Sequence, residues 1–157
     1  MSRQRAKGTT AETAVLRHVH ANGFPWAHRL ALSGNADQGD IALLPGNLLI
    51  LEVKNHATAA TGQPGAAQLA DWMAQTETER VNAGADHAAL VVKRKGTTDA
   101  GKWWTYVTAG TFATLLGVPD GPAALHEPDA PLCLSLASLL PVLRRAGYGS
   151  DLEDVTA

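Results

Sequence analysis

The chain has 157 residues, 45% of them hydrophobic, and a formal net charge of -2. That is enough apolar content for one globular core and too little positive charge to attract a polyanion in bulk. A single cysteine, Cys133, excludes an internal disulfide and a thiol-rich zinc site, and the six histidines are scattered without a ligand cluster. No apolar run approaches the ~18 residues of a membrane span, and the basic start MSRQRAKGTT leads into no signal core. A cytoplasmic protein without membrane contact or organic cofactor is expected.

In chain order, Thr9 opens a predicted helix over 9–22, with Glu12 in capping-box spacing and Gly23 as its stop. Residues 27–32 suit a strand, and SGNADQ is a polar loop. Two apolar runs, 39–44 and 48–54, flank the turn signal PGN and predict a hairpin. A helix is predicted over 64–82, with Leu69, Trp72, Met73 and Thr76 on one face and Gly84 beyond its end. Strands follow at 87–93 and 103–108, then a short helix at 111–116. Pro119, Pro122, Pro128 and Pro131 predict an irregular connection to a last helix over 138–146, and DLEDVTA reads as a flexible acidic tail. The expected fold is α/β, a central mixed sheet flanked by helices in the order αβββαβ. The expected organisation is one domain over 1–157, with a core at about 8–116 and a C-terminal extension over 117–157.

The hairpin "GDIALLPGNLLILEVKN" places charges among aliphatic residues. Side chains alternate between the faces of a strand, so loop length decides which of them meet. With PGN as a three-residue loop, Leu44 pairs with Leu48, Ala42 with Ile50, and Asp40 with Glu52, Cβ atoms about 4.5–5.5 Å apart, while Lys54 shares their face. A two-residue turn would put Asp40 opposite Val53 instead and break the cluster. Adjacent, partly buried carboxylates repel and need a proton or a cation between them, and a hard divalent ion such as Mg²⁺ or Mn²⁺ suits oxygen ligands. Such an ion next to a lysine is the equipment of phosphodiester hydrolysis. The competing reading is a solvated Glu52/Lys54 pair at a strand end, with Asp40 belonging to the turn.

Several segments together resemble the PD-(D/E)xK nuclease superfamily, and within it the archaeal-type Holliday junction resolvases with their phage and actinobacterial relatives. They are the helical glutamate of GTTAETAVL, the SG of LALSGNADQGDI, the acids of GDI and LEVKNH, and the block LADWMAQTETERVNAGADHAALVVKRKG. Gly39 stands where the family name has proline. The resemblance implies a restriction-endonuclease-like core. It also implies Asp40, Glu52 and the Val53 carbonyl as metal ligands, Lys54 as the catalytic lysine, and Glu12 as a first-helix glutamate assisting the metal. For Glu12, the capping box with Thr9 is the alternative, although Val15, Leu16 and Val19 place it on an inward stripe. Gln75 matches a polar residue on the second helix, with Gln68 as its rival, and Ser33 matches a loop serine near the scissile phosphate, the alternative being a plain turn serine.

The implied activity is that of a metal-dependent, structure-specific endodeoxyribonuclease resolving four-way DNA junctions with Mg²⁺, Mn²⁺ being a substitute. A C2 homodimer is implied too, because a junction has two strands to cut symmetrically. Such a protein would work in a bacterial or phage-infected cytoplasm. Arg3, Arg5 and Lys7 before the first helix, Arg17 on it, and Lys93, Arg94 and Lys95 after a strand are the candidate phosphate contacts, a solvated loop being the alternative for the last three. The competing functions are a related repair exonuclease, flap or nicking enzyme, and a catalytically silent DNA-binding module.

Overall fold

The computed structural model describes residues 3–31, 36–56 and 63–150, with side chains from residue 8 onward. Four α-helices and six strands build it: α1 Arg3–Ala21, β1 His28–Arg29, β2 Ile41–Ala42, β3 Leu49–Lys54, α2 Ala66–Ala83, β4 His87–Val92, β5 Trp104–Thr108, α3 Ala109–Leu115, β6 Pro131–Ser135 and α4 Leu136–Arg145. The strands form one mixed sheet in sequence order β1 to β6, with β3 and β4 parallel and every other pair antiparallel. A parallel neighbour needs a crossover, and α2 supplies it.

The two faces of β3 differ in what they bury. Leu49, Leu51 and Val53 join Val15 and Val19 of α1 and Leu139, Leu140 and Leu143 of α4 in the larger core. On the other face Leu90, Val92 and Tyr106 pack under Leu69, Trp72 and Met73 of α2. Strands buried on both sides read as continuous apolar runs, as most of β4 and the first three residues of β3 do. Trp103 is 1% exposed in the larger core.

Three expectations are corrected. Helix α1 begins at Arg3, so Thr9 lies inside it and the capping box does not form; the Thr9 carbonyl instead accepts from the Thr13 hydroxyl at 2.8 Å. An internal Gly8 costs a helix ~1 kcal/mol, a penalty the buried stripe Ala11, Val15, Val19 outweighs. The proline-rich segment ends in a strand, β6, because Pro131 stands at the first position of an edge strand, where no ladder donor is lost. Helix α4 starts earlier than predicted, capped by Ser135, whose hydroxyl accepts from Ser138 N at 3.2 Å. The tail 151–157 lies outside the described residues. No helix among the described residues is long and apolar enough to cross a membrane.

Candidate active site

The hairpin register decides where the acids go. Ile41 pairs with Leu51 and Ala42 with Ile50, the pairing that a three-residue loop dictates. The loop 45–47 is tight, with Gly46 at φ 78° and Asn47 at φ 57°, a left-handed conformation both residue types tolerate. Asp40 lies one residue outside β2 and is pinned on both sides: its N–H donates to Leu51 O at 3.1 Å and its carbonyl accepts from Leu30 N at 2.9 Å. Its Oδ2 accepts from the Val53 N–H at 2.8 Å. That bond brings the carboxylate to the end of β3 beside Glu52.

Glu52 is 5% exposed and accepts from Lys54 Nζ at 2.5 Å. Both residues face α2, since Val53 between them is committed to the α1 side. From α2, Gln75 Oε1 accepts from Lys54 Nζ at 3.1 Å, and Gln75 Nε2 donates to Glu79 Oε1 at 2.8 Å. Of the two candidate glutamines, Gln75 is therefore the one at the site. Gln68 lies 3.4 Å from His56 instead, and the His56 ring meets Trp72 edge-on. Glu12 is near enough to act on Asp40 electrostatically but is also paired with Arg29, 3.6 Å away. Ser33 lies outside the described residues.

Burial and mutual repulsion oppose the charge on these acids. Burial, then the neighbouring Glu52, pushes Asp40 up to about 7, against the lowering effect of the Val53 N–H. Burial likewise lifts Glu52 to about 7, outweighing the ammonium of Lys54, with Glu79 adding repulsion. Glu79 is 1% exposed, is also raised chiefly by burial, and its Oε2 is buried without a hydrogen-bond partner. Among the described residues no three histidine, cysteine or acidic side chains form a closed cation cage. The donor set fits a hard divalent ion in the open form that Mg²⁺ favours: two carboxylates, Asp40 and Glu52, the Val53 carbonyl at the same strand end, and waters or phosphate oxygens for the rest.

Sequence reasoning missed Glu79 and Arg29. Glu79 was detectable: it is four residues after Gln75, one helical turn along the same side of α2, and seven after the partly buried Trp72. Arg29 carried no such signal. Its role depends on β1 passing α1, where its guanidinium also donates to Thr9 O and to the Thr13 hydroxyl.

The basic residues divide into two groups. Lys93 N donates to Lys54 O at 2.8 Å, which joins the Lys93, Arg94, Lys95 segment directly to the end of β3. Those three cations, with Asn55, His56 and residues 96–98, line a groove of about 520 Å³. Lys93 lies over Trp103, 5.8 Å from the ring centre, and Arg94 over Trp104 at 4.4 Å, so the two positive charges are held rather than loose. Arg17 is exposed on α1 and does not line this groove. Arg3, Arg5 and Lys7 belong to the first turns of α1, where side chains are not described. A larger cavity, about 800 Å³, lies between α2 and α3, and none of Asp40, Glu52 or Lys54 lines it. No family model matches the chain, and no curated protein or solved structure matches it either.

Proposed function

We propose that the protein is a metal-dependent endodeoxyribonuclease of the PD-(D/E)xK kind, with a restriction-endonuclease-like core, cutting branched DNA as a Holliday junction resolvase does. The observation that carries this reading is the hairpin register, which brings the Asp40 carboxylate onto the Val53 N–H beside the Glu52 and Lys54 pair. Asp40, Glu52 and the Val53 carbonyl would hold the cation, with Glu12 assisting from α1. A divalent ion there supplies charge neutralisation and Lewis acidity at the phosphodiester.

The remaining work falls to the chain's own groups. An ammonium has three N–H donors, and Lys54 commits two of them, to Glu52 and Gln75. The third is left to orient an attacking water or to stabilise charge growing on a phosphate oxygen. The groove of Lys93, Arg94 and Lys95, lined from Asn55 onward, adjoins the Lys54 end of β3 and would carry the phosphates flanking the cut, fixing the strand without reading its bases. Two-fold cutting of a four-way junction calls for a homodimer.

The test is cleavage by purified full-length protein of four-way junctions, flaps, blunt duplex and single strands in Mg²⁺ or Mn²⁺. Paired symmetric nicks on the junction are the expected result. Asp40→Asn, Glu52→Gln and Lys54→Ala should each lose cutting while junction binding survives. Undiminished cutting by Asp40→Asn protein would refute the assignment, and preference for flaps or ends would move the protein to another repair nuclease.

A further inference from the structure

Glu79 is the most buried acid near the site, yet no step above uses it. It lies on the crossover helix, it accepts from Gln75 Nε2 at 2.8 Å, and Gln75 Oε1 in turn accepts from Lys54 Nζ at 3.1 Å. A primary amide has one donor end and one acceptor end, and which end faces a neighbour decides whether the contact attracts or repels. Were Gln75 reversed, its NH₂ would face the Lys54 ammonium, donor against donor, and its oxygen would face the Glu79 carboxylate. A carboxylate has no N–H to offer, so Glu79 accepts only the orientation that turns the Gln75 oxygen toward Lys54.

Glu79 is itself fixed. It is 1% exposed, and its Oε2 points to the close approach of Gly39, where a Cβ would stand 3.8 Å from that oxygen and 3.2 Å from Ile50 Cδ1. Gln75, one turn earlier on the same side of α2, is by contrast exposed to solvent.

We infer that Glu79 is a positioning residue for Lys54, acting through the amide sense of Gln75. The functional weight of this rests on the nuclease reading above, in which Lys54 faces the reacting phosphate. The hydrogen-bond chain Glu79, Gln75, Lys54 and Glu52 would hold the ammonium at the strand end before DNA arrives. A lysine side chain has four rotatable bonds, and misplacing a catalytic group by about 1 Å can cost on the order of 100-fold in rate.

The experiment compares full-length wild type with Glu79→Leu, Glu79→Gln, Gln75→Ala and the Glu79→Leu/Gln75→Ala double variant by two readouts. The first is the Lys54 side-chain NMR resonance in ¹³C-lysine protein, assigned with Lys54→Arg. The second is junction cleavage in Mg²⁺, resolved into kcat and KM. Glu79→Leu and Gln75→Ala should move the Lys54 resonance alike and lower kcat about 10- to 100-fold with KM little changed. Glu79→Gln keeps an acceptor oxygen but adds an NH₂ that also tolerates a reversed Gln75, so its kcat should fall between wild type and Glu79→Leu, and the double variant should fall no further than either single one. A Lys54 resonance unmoved in Glu79→Leu, or losses that multiply in the double variant, would overturn the inference. Should Glu79→Leu fail to fold, the comparison of Glu79→Gln with Gln75→Ala decides: a smaller loss of kcat in Glu79→Gln is expected, and equal losses in the two would overturn the inference. If wild type cuts no DNA while the Lys54 resonance still responds to Glu79→Leu, the nuclease reading fails and the positioning role stands.

Discussion

Asp40→Asn should make the metal-free protein more stable at neutral pH, the reverse of the usual effect of removing a buried hydrogen-bonded group. An ordinary aspartate loses its proton near 3.8, and Asp40 in the fold near 7, because burial and the Glu52 and Glu12 carboxylates oppose its charge. Between those two values the unfolded chain has released this proton and the folded chain still holds it, so rising pH favours unfolding, and beyond about 7 the loss is complete. The gap corresponds to a ceiling of about 4 kcal/mol, at ~1.4 kcal/mol for each tenfold in proton affinity. Water reaching the half-buried carboxyl brings the expected value to about 2 kcal/mol. For a domain of this size that is roughly 4–8 °C in Tm. Asparagine keeps an oxygen for the Val53 N–H and has nothing to ionise. Thermal unfolding in chelator from pH 4.5 to 8 should therefore show wild type losing stability across the range and Asp40→Asn staying flatter, while saturating Mn²⁺ at pH 8 should raise wild type by ~2–3 kcal/mol and leave the variant unmoved. Parallel profiles for the two proteins, with or without Mn²⁺, would refute the reasoning that these carboxylates strain against each other.

Lys93→Ala, Arg94→Ala and Lys95→Ala together should weaken junction binding and reduce the salt slope of log K by up to ~3, measured by fluorescence anisotropy across a salt series. Arg17→Ala should leave that slope unchanged, since Arg17 does not line the groove. Leu140→Ala should destabilise by about 2–5 kcal/mol in urea unfolding, because this residue is 1% exposed in the core that α4 shares with α1. Gly39→Ala should cost stability and activity together: the backbone there is at φ 87°, and the new Cβ would press on Ile50 Cδ1 at 3.2 Å.

The parts of the site legible in the sequence were those governed by local periodicity. A three-residue PGN loop and alternation along two strands were enough to put Asp40, Glu52 and Lys54 together, whereas Gln75 entered through the family resemblance, with Gln68 as its rival. For Glu12 it is the capping-box alternative that fails, because the helix start was read from Thr9 when the apolar stripe of α1 outweighs the weak helix propensity of Gly8. Arg29 and strand β6 were not legible. Each is defined by a neighbour distant in sequence, Arg29 by α1 and β6 by β5, and short edge strands carry too few residues for alternation to show. Glu79 was legible as a helical neighbour of Gln75 but not as buried, since only the docking of α2 on β3 and β4 removes it from solvent.

The single parallel pair in the sheet has a kinetic corollary. Leu49 must find His87 across the whole crossover before β3 and β4 can zip, the kind of remote closure that sets the pace of refolding. Because the segment being threaded also carries the glutamine that meets Lys54 and the glutamate behind it, the proposed activity would emerge only at the end of that search. A chain diluted from denaturant should regain helical signal well before it regains any ability to cut.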